Sequence, residues 1–238
     1  MEAMILAAGL GTRLRPLTND RPKALVEVNG ITLLEYNLRR LIGFGFNKIV
    51  INIHHFPDMV KDFVRQRQFD AEILFSDERE LLMDTGGALK KAAPLFSGKE
   101  PVLIHNVDIL STLDLGEIYR KHLGNKALAT LLVSKRDTSR QLLFDKKQQL
   151  VGWHNSSNNE TLWSDKPVET IDSLAFSGIH IVNPELFGML PPVAPYPVIP
   201  EYLKLAKHHK ILAFSHLAEQ WIDVGKPETL KLAEKFMI

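Results

Sequence analysis

Short apolar runs alternating with amphipathic stretches constrain this chain more than any other feature. Met4–Ala8, Lys48–Ile53, Glu72–Phe75, Pro101–His105 and Leu128–Ser134 read as buried strands, each bounded by turn residues or polar loops. Between them Leu33–Phe44, Pro57–Gln68, Gly87–Phe96 and Leu113–Leu123 read as helices; in the first, Leu34, Leu38, Leu41 and Ile42 share one face. This order predicts an α/β fold, a mainly parallel mixed sheet with helices on both faces. After about residue 135 the rhythm breaks. Leu142–Phe144 and Leu150–Trp153 are shorter strands and His154–Glu160 is polar, so residues 135–175 are expected to form a lid-like insertion, either a flap or an antiparallel extension. Phe176–Val182 restores a core strand, and Ile199–Lys207 and Pro227–Phe236 are expected helices. With no Pro-, Gly- or Ser-rich linker and no internal repeat, residues 1–238 are expected to form a single domain.

Composition narrows the chemistry. The chain carries 29 Lys+Arg against 28 Asp+Glu, a formal charge of +1, which argues against a dedicated nucleic-acid binder. It has no cysteine, which excludes disulfides, Cys-ligated zinc, iron–sulfur clusters and a thiol nucleophile. No apolar run approaches the roughly 18 residues of a membrane span, and Glu2 stands where a signal peptide would carry a cation, so a cytoplasmic protein is expected. The histidine pairs His54-His55 and His208-His209 lack acidic neighbours at ligand spacing and are expected to be structural, and His105 to be a hydrogen-bonded core residue. Any chemistry rests on Asp, Glu, Lys, Arg and His, with or without a bound metal.

The most informative segment follows the first strand: Leu6-Ala7-Ala8-Gly9-Leu10-Gly11-Thr12-Arg13-Leu14-Arg15-Pro16, continued by Arg21-Pro22-Lys23. Glycines there let backbone N–H groups approach phosphate oxygens. A Rossmann loop would need glycine at position 14, which is Leu14, and a Walker loop would need Gly-Lys-Ser/Thr. The cations add information: Arg13 can grip a phosphate with a bidentate fork and Lys23 can add a mobile point charge.

The string resembles the signature of the sugar-1-phosphate nucleotidyltransferases. That resemblance implies a Rossmann-like three-layer fold, a nucleoside triphosphate held by the glycine loop and Arg13, and phosphate contacts from Lys23. Further matches follow in order. Asp84-Thr85-Gly86-Gly87 is similar to the segment that passes the nucleobase, where Gly86 and Gly87 would open a helix with free N–H groups. Val102-Leu103-Ile104-His105-Asn106-Val107-Asp108 resembles the strand ending in a magnesium-binding aspartate; the position before it, commonly Gly or Ser, is Val107, whose N–H remains available. Trp221-Ile222-Asp223-Val224-Gly225 resembles the second acidic motif. Asp108 and Asp223 are too distant in sequence for any local element to unite them; together they would hold Mg²⁺. Phe176-Ser177-Gly178-Ile179 resembles the sugar-side strand, with Ser177 and Gly178 as sugar-binding candidates and Gly178 leaving room for the hexose.

One departure narrows the comparison. Many relatives carry Glu-Lys-Pro after the short strands, with the lysine on the sugar phosphate; here the stretch reads Leu150-Val151-Gly152-Trp153-His154-Asn155. The whole pattern looks most like the short bacterial N-acetylmuramate-1-phosphate uridylyltransferases of peptidoglycan recycling, with mannose-1-phosphate guanylyltransferases as the alternative. The expected reaction is Mg²⁺-dependent transfer of a nucleoside monophosphate from UTP or GTP to a sugar 1-phosphate, with no nucleic-acid or membrane partner. A non-catalytic nucleotide-sugar-binding regulator of the same fold is the rival, but such a protein would be free to lose Arg13, Lys23, Asp108 and Asp223, and all four are present.

Overall fold

The structure is a computed structural model and describes residues 1–217 and 220–236. In chain order its elements are β1 (Glu2–Leu6), a small hairpin of β2 (Glu27–Val28) and β3 (Ile31–Thr32), α1 (Leu33–Gly43), β4 (Lys48–Ile53), α2 (Pro57–Arg65), β5 (Glu72–Asp77) and α3 (Asp84–Ala92). There follow β6 (Val102–Asn106), β7 (Ile109–Ser111), α4 (Leu115–Asn125), β8 (Ala129–Ser134), β9 (Arg140–Phe144), β10 (Leu150–Asn155), β11 (Glu160–Trp163) and the long β12 (Asp172–Val182). The chain ends on α5 (Glu185–Met189), α6 (Val198–Ala206), β13 (Ile211–Ser215), β14 (Trp221–Asp223) and α7 (Pro227–Phe236). Two helices begin on the polar-x-x-Glu signature: the Thr32 hydroxyl accepts from the Glu35 N–H at 3.1 Å and the Asp114 carboxylate from the Glu117 N–H at 2.8 Å.

A ten-stranded sheet runs in the order β11-β10-β9-β12-β6-β1-β4-β5, with β8 on β12 and β13 on β8. β6, β1, β4 and β5 are parallel, whereas β12 is antiparallel to β6, β8 and β9, so the sheet is more evenly mixed than the expected mainly parallel one. Strand alternation feeds two cores. Ala3, Ile5, Ile49 and Ile51 face α1, α2 and α4 through Leu34, Val60 and Ile118. Met4, Val50 and Ile104 face α3 and α6 through Leu89 and Tyr202. Helices on both faces make the three layers.

The inserted segment takes the antiparallel form. β9 to β11 extend the sheet from the first half of β12, and Leu142, Phe144 and Leu150 belong to the second core, which fastens the insertion down. No helix among the described residues is long and apolar enough to cross a membrane. The positioning fact for function is the level at which three parallel strands stop: Leu6 of β1 is in register with Asn52 of β4 and with Asn106 of β6. The loops that leave these ends meet at one sheet edge, where open α/β sheets bind their ligands.

Candidate active site

The first strand is shorter than its apolar run suggests. β1 ends at Leu6 because the Ala7 N–H turns away to the Asn52 side-chain oxygen at 2.7 Å, which starts the glycine loop two residues early. Among the described residues, the N–H groups of Ala8, Gly9, Leu10 and Gly11 donate to no protein acceptor, and Gly9 stands open. Gly11 has φ +65, and a Cβ there would lie 3.0 Å from the Thr18 methyl and 3.1 Å from the Lys23 Cβ. Conformation and space both require glycine at this turn. Thr12, Arg13 and Leu14 form a 3₁₀ turn that buries Leu14 and leaves Thr12 and Arg13 exposed.

Lys23 follows Pro22 in a second 3₁₀ turn and is itself buried, its ammonium on the Asp108 carboxylate. The link between Asp108 and Asp223 is a ribbon separate from the main sheet. β7 leaves the site just after Asp108, β14 pairs with it antiparallel, Asp223 is in register with Ile109, and the Val224 N–H donates to the Asp108 carbonyl at 2.8 Å. Burial first, and then the Asp108 charge, push the Asp223 carboxyl above the usual carboxylate range, against the pull of Lys23, the Gly225 N–H and Arg13. Gly225 completes this arrangement: a Cβ there would fall 2.7 Å from an Arg13 guanidinium nitrogen and 2.7 Å from Asp223 Oδ1. The absence of a side chain lets Arg13 lie beside Asp223.

These groups surround two contiguous clefts that share Gly9, Lys23 and Leu82. One, of about 340 Å³, is lined by Leu6, Ala8, Asn106, Asp108 and Thr85 among others; the second, of about 350 Å³, reaches Arg13 and Gly225. Asp108 lines the first cleft and Asp223 stands beside Gly225, which lines the second. Two carboxylates under mutual repulsion, near two cations and free N–H groups, suit a hard divalent cation that completes its octahedron with phosphate and water. Among the described residues no group of three or more His, Asp or Glu is arranged to hold a metal alone. The donor set therefore fits Mg²⁺ shared with a phosphate ligand.

Several expected contacts are redirected. α3 starts at Asp84, not Gly87, and the N–H groups of Gly86 and Gly87 donate to the Tyr196 carbonyl at 2.9 and 3.3 Å, so they are not free to read a base. Asp84 and Thr85 line the cleft in their place, and the Thr85 hydroxyl accepts from the Val198 N–H at 2.9 Å. The Val107 N–H is also committed, to the Leu6 carbonyl at 3.1 Å, while its side chain packs in the core. Ser177 and Gly178 are both buried. The Ser177 hydroxyl pairs with His216 at 2.7 Å, and a Cβ on Gly178 (φ +71) would meet the Asn106 amide at 2.8 Å, so Gly178 leaves room for Asn106. His105 is buried, its Nδ1 on the Asn106 carbonyl, and burial pulls it down to about 4, a neutral core histidine.

Sequence reasoning missed Asn52, Glu78 and Gly225. Glu78 is fully buried between the two walls of the cleft: one oxygen accepts from Asn52 at 2.9 Å and the other from the Met83 N–H at 3.0 Å. Burial raises its carboxyl. Asn52 relays this hold to the glycine loop through Ala7, and its signal was available, since a polar residue interrupts the β-branched run Lys48–Ile53 at a strand end. Asn52→Ala is expected to cost about 1–3 kcal/mol by stranding both the Glu78 carboxylate and the Ala7 N–H. Denaturant unfolding measures it; an unchanged midpoint would show that the loop is held some other way.

The family model described as Nucleotidyl transferase matches residues 2–238. An N-acetylmuramate alpha-1-phosphate uridylyltransferase of Caulobacter vibrioides is 34% identical, over 98% of this chain and 95% of its own. A mannose-1-phosphate guanyltransferase of Schizosaccharomyces pombe is 28% identical over 96% of this chain, which spans 62% of that longer relative. Among solved structures, HddC from Yersinia pseudotuberculosis, complexed with GMP-PN, superposes with a TM-score of 0.76 at 23% identity, over 100% of this chain and 99% of its own.

Proposed function

The chain belongs to the nucleotidyl transferase family, whose named relatives act on sugar 1-phosphates, and from that premise we propose that it joins UTP to N-acetylmuramate 1-phosphate, releasing pyrophosphate. The observation that carries the reading is the convergence of Arg13, Lys23, Asp108 and Asp223 beside the unpartnered N–H groups of the glycine loop. The choice of base and sugar is supported by the relative matched over nearly its whole length.

The attacking oxygen of a sugar phosphate is already an anion, so the site needs no general base. It has to align that oxygen with the α-phosphorus, opposite the bond to pyrophosphate that breaks, and to neutralise charge spreading over the phosphates. The loop N–H groups hold phosphate oxygens, Arg13 and Lys23 stabilise the departing pyrophosphate, and Asp108 and Asp223 are the residues that would hold Mg²⁺. Bound there, Mg²⁺ supplies positive charge at the α-phosphate. Lys23 rests on Asp108, within the group of side chains that would hold the cation and the phosphates. The triphosphate substrate fits a cytoplasmic enzyme, and the proposed sugar fits peptidoglycan recycling.

Pyrophosphate release from four NTPs against the 1-phosphates of N-acetylmuramate, mannose and glucose tests this, with UTP and N-acetylmuramate 1-phosphate expected to be fastest. Preference for GTP with mannose 1-phosphate would move the chain to the guanylyl branch. Nucleotide-sugar binding without turnover of any pair would make it a regulator. Arg13→Ala is expected to lower kcat about 10²–10³-fold with the fold intact.

A further inference from the structure

The site as described has cations for the donor phosphates and none for the acceptor, because the Glu-Lys-Pro lysine is missing. The end of β10 supplies no substitute: His154 Nδ1 is engaged by the Thr161 hydroxyl at 2.9 Å, and Asn155 accepts from the Ser157 N–H at 3.1 Å in a local turn. On the other flank of Asp223 lies a guanidinium that the mechanism has not used. We propose that Arg136 takes the phosphate of the sugar 1-phosphate and sets it for attack. This rests on the transferase reading above.

Arg136 follows β8 by two residues and reaches the second acid by way of an aromatic ring. Its guanidinium carbon lies 4.1 Å from the Trp221 ring centroid, and one terminal nitrogen donates to the Phe176 carbonyl. Trp221 is fixed in turn by its indole N–H on the Ser177 carbonyl at 2.7 Å. Strand alternation puts Trp221 and Asp223 on the same face of β14, about 7 Å apart along the strand. The Asp223 charge reaches Arg136 and offsets part of the burial that lowers it. The buried Ser177 thus bears on the acceptor side through Trp221.

Two details make this a site for an anion. The Arg136 Nε is buried without a hydrogen-bond partner, and among the described residues no carboxylate lies within ion-pair distance of the guanidinium. Among the described residues, this partly buried guanidinium lies over one ring and holds one carbonyl through a single terminal nitrogen, which keeps its other terminal nitrogen for a phosphate. The layout also matches the chemistry. Along β14 and the turn after it the order is Trp221 under Arg136, then Asp223, then Gly225 against Arg13. In-line displacement puts the attacking and leaving oxygens on opposite sides of the α-phosphorus. Arg13 stands on the leaving side, and Arg136 on the attacking side.

The test is steady-state kinetics of Arg136→Gln and Arg136→Lys with the NTP and sugar 1-phosphate pair that wild type turns over best, alongside UTP or GTP affinity by equilibrium titration and the Tm. Arg140→Ala is the control, since Arg140 is exposed and lies directly opposite Asn155 in the β9–β10 register. The expected result is a rise of about 10–100-fold in KM for the sugar 1-phosphate in Arg136→Gln. Arg136→Lys recovers part of it, and nucleotide affinity and Tm stay near wild type. Should Arg136→Gln prove too unstable to assay, a wild-type sugar-phosphate KM in Arg136→Lys overturns the proposal. Equal weakening of nucleotide and sugar phosphate overturns it too, as does a KM rise in Arg140→Ala but not in the Arg136 variants. Wild-type protein that turns over no pair removes the transferase reading itself; active wild type with unaffected Arg136 variants removes only this assignment.

Discussion

Asp223→Asn is expected to lower kcat about 10²–10³-fold and, in metal-free buffer at neutral pH, to raise Tm. The two effects have one cause. Asp223 is half-buried beside Asp108, and its carboxyl is held above its unfolded value, so ionising it costs the folded state more than the unfolded one. Its contribution to stability is fully present below the unfolded pKa and is lost as pH rises through the folded pKa. At neutral pH the charge is therefore a liability, and Asn removes it while keeping the oxygen that accepts from the Gly225 N–H at 2.7 Å. The gain in Tm should shrink as the buffer is taken down into the carboxylate range, where the parent also becomes neutral. Calorimetry in chelator across pH 4 to 8, paired with pyrophosphate release, reads both. A variant with wild-type turnover, or one less stable than its parent at neutral pH, would show that Asp223 is not a charge held in waiting for a cation.

Gly87→Ala is expected to cost about 3 kcal/mol, the upper end of the usual overpacking penalty. The added Cβ would stand 2.0 Å from the Ala194 carbonyl oxygen and 3.2 Å from the Met83 Cβ. One of these is backbone, so the relief has to come from moving the start of α3 away from the 194–198 segment. That segment is the second half of a mutual clasp: Tyr196 accepts from Gly86 and Gly87, and Thr85 caps the Val198 N–H. Moving it displaces Asp84 and Thr85 from the cleft wall, so the KM for the nucleotide should rise with the loss of stability. Gly188→Ala is the matched control, since nothing lies within 4 Å of its added methyl and helix entropy favours alanine. For a chain of this length each kcal/mol shifts Tm by about 2–4 °C, which thermal melts resolve. Equal melting of the two variants would show that the clasp is loose.

What could be read from the sequence depended on how local each cause was. Lys48–Ile53 and Pro227–Phe236 match their elements to the residue, because apolar period and flanking turn residues settle a strand or a helix locally. β7, β13 and β14 went unseen. Each is short and is made a strand by a partner far along the chain: Trp221–Asp223 by Ile109–Ser111, and Ile211–Ser215 by β8. The candidate site divides the same way. The glycine loop and the charged residues could be named from spacing, whereas their neighbours could not: which N–H groups were already spoken for was decided by Asn52, Tyr196 and Leu6, at distances no local pattern encodes. Gly86 and Gly87 show the difference well. Two glycines at a helix start look like open donors, and only the approach of Tyr196 shows that they admit a neighbouring segment.

The ribbon that brings Asp223 to Asp108 also sets a schedule. Every strand of the large sheet lies within residues 2–215, while the second acid and Gly225 lie beyond it, on β14 and the turn after it, and β14 pairs with β7 in a ribbon apart from that sheet. A chain leaving the ribosome presents every strand of the sheet before residues 221–225 exist, yet Val224 and Ala233 are buried in the first core, so that core closes only after they arrive. Until they do, the growing polypeptide carries the glycine loop and Asp108 but not Asp223. On the proposed reading, the paired acids are completed by the same late residues that close the first core.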